Sequence, residues 1–131
     1  MYNEFVMDKK KLVLVVDDEP RVLWFVKISL TTAGYDVVTA ASGEEALGLM
    51  QSHKFDIILL DLLMTPMDGL EVLGRLRTFS KVPVLIFTAH AFIAADQALQ
   101  MGANGFIAKP FKPEDLVKKV ESMLNPPKKK D

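Results

Sequence analysis

Five polar side chains follow directly on apolar runs in this chain: Asp17 and Asp18 after residues 12–16, Asp61 after 57–60, Thr88 after 82–87 and Lys109 after 106–108. Short runs of branched aliphatic residues suit strands covered on both faces of a parallel sheet. In open α/β sheets ligands bind beyond the carboxyl ends of the strands, so an acid at such an exit faces a crevice and not the core. Three carboxylates gathered there repel one another, since two unit charges 4 Å apart interact by about 4 kcal/mol at an effective dielectric near 20. One lysine cannot offset all of that. Either a proton is retained or a hard divalent cation is bound, and an all-oxygen site with few carboxylates and open positions suits Mg²⁺ better than a closed Ca²⁺ cage. Asp61 then has the chemistry of a carboxylate nucleophile toward phosphorus. Mg²⁺, the Lys109 ammonium and the Thr88 hydroxyl would stabilise the equatorial oxygens.

The elements that must position these groups alternate along the chain. Strands are expected at 12–16, 36–40, 57–60, 82–87 and 106–108. Between and after them come helical patterns. The first starts at Pro20, with Asp18 or Glu19 as cap, and stops at Gly34. Ser42 with Glu45 three residues on forms a capping box for the second. Thr65, Pro66, Asp68 and Gly69 make a loop before the third, marked by Leu70, Val72, Leu73 and Leu76. The fourth covers 91–101 and closes at Gly102; the fifth opens at Pro113 with Glu114 and Asp115 favouring its dipole. This alternation implies an α/β fold: five βα units making a parallel sheet with helices on both faces, a three-layer sandwich. The first and third strands are the most continuously apolar and should be central, leaving 36–40 and 106–108 as edges. Because the strands run one way, all five polar groups gather on one rim.

Composition bounds the function. The 131 residues are half apolar and suffice for one good core. Sixteen Lys and Arg against 17 Asp and Glu leave a net charge of −1, which gives no footprint for non-specific nucleic-acid binding. There is no Cys, hence no disulfide and no Cys-ligated metal. No run approaches the roughly 18 apolar residues of a membrane span, and the N-terminus lacks the apolar stretch of a signal peptide. A cytoplasmic location is expected.

Over residues 11–125 these features resemble the receiver domains of two-component response regulators, which have the flavodoxin-like fold. The resemblance rests on Asp17-Asp18 after the first strand, Asp61 followed by Met64 and by Met67-Asp68-Gly69, Thr88-Ala89 after the fourth strand and Lys109-Pro110-Phe111 after the fifth. It implies strand order 2-1-3-4-5, with 1–10 an N-terminal extension and 126–131 a tail or linker. It implies phosphorylation of Asp61 by a histidine kinase or phosphotransfer protein, and Mg²⁺ held by Asp18, Asp61 and the Leu63 carbonyl with Asp17 helping through water. Thr88 and Ala89 at the phosphate, Lys109 as phosphate partner and Phe106 as switch aromatic complete the implied set. Such a domain is not an enzyme in the ordinary sense; it catalyses only its own phosphoryl transfer and dephosphorylation. Output would pass through the fourth helix, fifth strand and fifth helix to an output domain, a downstream protein or a phosphorylation-dependent dimer.

This sequence departs from the family pattern beside the site. Thr65 separates Met64 from Pro66 where many receivers have Pro at once, and the apolar Leu63 cannot orient an attacking water, which bears on the lifetime of the phosphoryl group. His90 lies two residues beyond Thr88. A cis Lys109-Pro110 bond is expected, because Lys109 must turn inward as the chain reverses and cis costs only about 0.5 to 1 kcal/mol before Pro.

Other assignments fit less well. A haloacid-dehalogenase phosphatase needs a second Asp where Leu63 stands, and a flavodoxin-like cofactor binder needs a glycine- and hydroxyl-rich loop where Asp17-Asp18-Glu19 would repel phosphate. A pseudo-receiver would not need the intact acid, Thr and Lys set. His53 and His90 lack companion ligands and read as solvated; Met64 and Met67 read as core fillers. The lysines of the PPKKKD tail are too few for a strong patch. On the first helix, Val22, Val26, Leu30 and Ala33 supply the stripe that packs on the sheet, while Leu23, Trp24 and Ile28 lie off it. That surplus apolar surface is the expected docking face for the phosphodonor.

Overall fold

Val13 to Val16 and Ile57 to Leu60 are all fully buried, so neither strand has a solvent face. This is the burial expected of central strands in a parallel sheet. The computed structural model describes residues 9–89 and 92–126. In chain order it contains β1 (Leu12–Val16), α1 (Pro20–Thr32), β2 (Asp36–Ala40), α2 (Gly43–Ser52), β3 (Ile57–Leu60), α3 (Gly69–Leu76), β4 (Val84–Thr88), α4 (Phe92–Gln100), β5 (Gly105–Ala108) and α5 (Pro113–Leu124). The sheet order is β2-β1-β3-β4-β5, every pair parallel, with the expected strands at the centre and at the edges.

Alternate strand residues feed two cores. Leu14, Val16, Ile58, Leu60 and Ile86 pack with Ala46 of α2, Val72, Leu73 and Leu76 of α3, and Ala98 of α4. Val13, Val15, Ile57, Leu59, Leu85 and Phe87 pack with Val26 and Leu30 of α1 and Leu116 and Val120 of α5. Two helices cover one face and three the other, the three-layer arrangement. Met64 is buried and Met67 packs against the first core. No helix among the described residues is long and apolar enough to cross a membrane.

Local chemistry sets the element ends. Ser42 Oγ accepts the Glu45 N–H at 3.1 Å, and Glu45 Oε1 reaches back one residue further than in the usual capping box, to the Ala41 N–H at 2.8 Å. Gly34 and Gly102 close α1 and α4 at φ +103° and +104°, where a Cβ would be strained. Lys109-Pro110 is cis, as expected, and so is Thr65-Pro66.

Three expectations shift. The first strand residue of β4 is Val84 and not Val82. α1 has no side-chain cap: Glu19 is the N-cap residue, and the Glu19 N–H is taken instead by Asp17 Oδ1 at 2.9 Å. Ala33, expected in the packing stripe, is the exposed C-cap residue of α1, so the stripe ends at Leu30. Residues 1–8 and 127–131, most of the expected extension and tail, lie outside the described residues, as does His90. His53 is exposed and stacks on Phe55.

Candidate functional site

Three of the polar residues sit one position past a strand end and are held there by one more backbone bond. The Asp17 N–H donates to Ala40 O at 3.2 Å, the Asp61 N–H to Val16 O at 3.0 Å, and the Lys109 N–H to Thr88 O at 2.9 Å. Each therefore inherits the rigidity of the ladder, which suits groups that must keep a fixed geometry. Lys109 Nζ lies 2.6 Å from Asp17 Oδ2 and 3.5 Å from Asp61 Oδ2, and 4.8 Å above the Phe87 ring. Asp17 and Asp61 are 1% and 3% exposed, whereas Asp18 is open to solvent. One carboxylate oxygen from each of the three lies within 4.8 Å of the others.

The electrostatics are unbalanced. Burial pushes the Asp61 carboxyl above its ordinary pKa and the neighbouring Asp17 charge pushes the same way; Lys109 and the Leu63 N–H, 3.3 Å from Asp61 Oδ1, draw it partly back. A cluster of two buried carboxylates and one open one, served by one ammonium, suits a hard divalent cation by the chemistry of its donors. Thr88 is fully buried, and its Oγ1 has no hydrogen-bond partner among the described residues. Such an orphaned hydroxyl is costly in a finished core and useful beside an incoming oxygen. Phe106 is half-buried against the first core, Ala89 is exposed, and Leu63 is 49% exposed.

On α1, Trp24 and Ile28 are 68% and 48% exposed, while Leu23 is half-buried against the second core. Beside them is a cavity of about 480 Å³ lined by Val22, Phe25, Ala89, Lys109, Pro110 and Phe111. Phe111 contacts both Phe25 and Phe87, with ring centroids 6.0 and 6.3 Å apart. Sequence reasoning missed Phe25 and Phe87. The available signal was an aromatic adjoining Trp24 and another directly before Thr88.

Gly69, expected in the loop before α3 and in the Met67-Asp68-Gly69 motif, has a packing role as well. A Cβ there would press into Asp61 O and stand 2.7 Å from Leu62 Cα, so α3 begins directly against the backbone that carries Asp61. Gly69→Ala is expected to destabilise the domain by about 1 to 3 kcal/mol, the usual cost of overpacking. Urea unfolding checks this, and an unchanged midpoint would show that the contact relaxes freely.

The family model for the response regulator receiver domain matches residues 13–121. The chain belongs to that family, a signalling domain of two-component systems. It is 39% identical over 116 residues to "Probable transcriptional regulator ycf27" of Cyanophora paradoxa, a match covering 88% of this chain and 48% of that protein. The chain thus spans about half the length of the curated relatives it matches. Among solved structures, chemotaxis response regulator CheY4 of Vibrio cholerae superimposes with a TM-score of 0.83 at 37% identity, covering 88% of this chain and 100% of that one. Response regulator TrrA of Thermotoga maritima, solved with Mg²⁺ and BeF, gives 0.80 at 35% identity, covering 87% and 99%.

Proposed function

We propose that Asp61 accepts a phosphoryl group from a phosphohistidine of a histidine kinase or phosphotransfer protein, in a Mg²⁺-dependent reaction in the cytoplasm. The observation that carries this reading is the carboxylate cluster with Lys109 Nζ between Asp17 and Asp61. Asp18, Asp61 and the Leu63 carbonyl would hold the metal, with Asp17 assisting through water. A Mg²⁺ ion bound there would offset the clustered negative charge and polarise the phosphoryl oxygens. Ionised Asp61 attacks phosphorus, the P–N bond to the donor imidazole breaks, and the imidazole leaves with a proton from solvent. Lys109 turns from Asp61 to the new phosphoryl oxygens, and the Thr88 hydroxyl, beside Ala89, gains the partner it lacks.

The phosphorylated state then ends by hydrolysis in the same pocket. Leu63 brings no polar side chain to orient the water, which favours a long-lived phosphoryl group. The Thr88 movement vacates space for the Phe106 ring, and the rearranged surface of α4, β5 and α5 carries the signal to an output domain, a downstream protein or a second copy. That the first curated relatives are named as transcriptional regulators and are about twice this length supports the output-domain route.

Mass spectrometry after exposure to acetyl phosphate tests the core of this reading. One phosphoryl group, mapped to Asp61 and gained only with Mg²⁺, is expected; uptake without Mg²⁺, or on another residue, would overturn it.

The donor docks on α1 across Leu23, Trp24 and Ile28, with the aromatic-lined cavity beside Lys109 receiving part of its helix. Because Leu23 also packs against the second core, Trp24 and Ile28 make the cleaner probes. Trp24→Ala with Ile28→Ser should slow transfer from the kinase by roughly tenfold or more, as loss of interface anchors does, yet leave modification by acetyl phosphate unchanged. Equal loss by both routes would remove α1 as the docking face.

A further inference from the structure

We propose that Arg77 is the pivot of the switch: its guanidinium fixes the C-terminal end of α4 to α3 and β4, so that phosphorylation tilts α4 about residues 102–104. The proposal rests on the reading that Asp61 phosphorylation is read out through α4. Arg77 closes α3 as its C-cap residue. Its Nε and Nη2 donate to Gly102 O at 3.1 and 2.8 Å, Nη2 also donates to Asn104 Oδ1 at 3.0 Å, and Nη1 donates to Ser80 O at 3.1 Å. Asn104 passes the connection on. Its Oδ1 accepts the Val84 N–H at 2.9 Å, and its own N–H donates to Val84 O at 2.8 Å. One planar cation thus joins the end of α3, the loop before β4, the turn after α4 and the first residue of β4.

The local sequence is built for this contact. Gly102 needs its positive φ to close α4, and a Cβ there would also stand 3.0 Å from Arg77 Nε. A side chain there would both strain the backbone and crowd the guanidinium. The guanidinium fork reaches several acceptors in one plane, which a lysine ammonium cannot reproduce. Among its described side chains, those that α4 buries are small: Ala94 and Ala98 pack against the first core and Ala95 is buried, and each covers little area. Its exposed Asp96 and Gln100 bond to each other and, among the described residues, not to another element. A helix pinned at one end by a rigid fork turns about the pinned end. β4 links the two sites, with Val84 in the clamp and the Thr88 carbonyl accepting the N–H of Lys109, whose ammonium serves the carboxylates.

The test uses the full chain, with and without Mg²⁺ and acetyl phosphate. It follows the alanine methyls of α4 and the amides of Val84, Gly102 and Asn104 by NMR, together with amide hydrogen exchange. In the unaltered chain, shifts on phosphorylation should be large at Ala94 and Ala95, smaller at Ala98 and near zero at 102–104. In Arg77→Lys and in Asn104→Ala they should spread through 102–104, and before phosphorylation the Val84 and Asn104 amides should exchange at least ~10-fold faster, the size expected for losing a charge-assisted hydrogen bond. Asn104→Asp keeps the acceptor and should behave as the unaltered chain. Shifts at 102–104 as large as those at Ala94, or an Arg77→Lys variant that matches the unaltered chain, would overturn the pivot. If mass spectrometry finds no phosphoryl group on Asp61, the phosphoacceptor reading fails; equal exchange at Val84 and Asn104 in the unaltered and Arg77→Lys chains then overturns the clamp by itself.

Discussion

Asp61→Asn should leave the domain unable to gain a phosphoryl group and, at neutral pH without metal, more stable than before. The first effect follows from chemistry, because an amide is no nucleophile toward phosphorus. The second follows from the electrostatics. Burial and Asp17 both disfavour the ionised Asp61, and Lys109 restores only part of the loss. Against a Coulomb energy of about 4 kcal/mol for one close carboxylate pair, a net gain on the order of 1 to 2 kcal/mol is expected after the Lys109 contribution is deducted. The pH dependence has a definite sign. A carboxyl whose folded pKa is raised favours folding fully below its unfolded pKa, and that contribution is lost as pH rises through the folded value. The two proteins should therefore unfold alike in acid and diverge toward neutrality. Uptake of phosphoryl groups by the unaltered chain should fall in acid through the same titration. Mg²⁺ should reverse the order, since a ligand at 100 times its Kd adds about 2.7 kcal/mol to the state that binds it, and the variant has lost a ligand. Equal stability of the two chains at neutral pH would mean that the cluster is not repulsive.

Much of this could be read from the sequence because its signals are local and redundant. The runs at 12–16 and 57–60 are too apolar to have a solvent face, and the alternation with helices leaves one parallel arrangement with both runs inside. Once the strands are parallel, the positions of Asp17, Asp61, Thr88 and Lys109 on one rim follow from where each run ends. What was illegible depends on distance through space. Nothing in the sequence singles out Arg77, and only the fold brings Gly102 and Asn104, 25 and 27 residues on, to its guanidinium. Phe87 reads as one more apolar strand residue, yet it is the surface beneath the Lys109 ammonium. Leu23 and Trp24 look equivalent in composition. One residue of helical rotation makes the first a core neighbour and leaves the second in solvent. Val82 was assigned to a strand on its side chain alone. The ladder that defines β4 starts beyond Pro83, whose missing N–H cannot join it.

The largest loss of stability should come from Lys109→Met. Methionine keeps an apolar stem over Phe87, so the change removes little besides the charge. That charge is the cation bonded to Asp17 and facing Asp61, both nearly fully buried. Removing one partner of a buried pair costs about 3 to 5 kcal/mol, chiefly because the remaining charge is left without compensation. Here the Lys109 side chain is 19% exposed and Asp18 opens the cluster to water, which places the loss nearer 3 than 5 kcal/mol. Two conditions should give it back. Acid protonates the stranded Asp61, whose raised folded pKa rises further when the ammonium goes, so the deficit is full at neutral pH and shrinks as pH falls through that value. Mg²⁺ supplies the missing positive charge, so the variant should gain more from the metal than the unaltered chain does. Adding Asp61→Asn to the variant should stabilise it by more than the same change does with Lys109 present, because the two substitutions act on one cluster. Urea midpoints at neutral and acid pH, with and without Mg²⁺, measure all four effects. A deficit that is the same at both pH values and in the presence of metal would show that Lys109 acts through packing and not through charge.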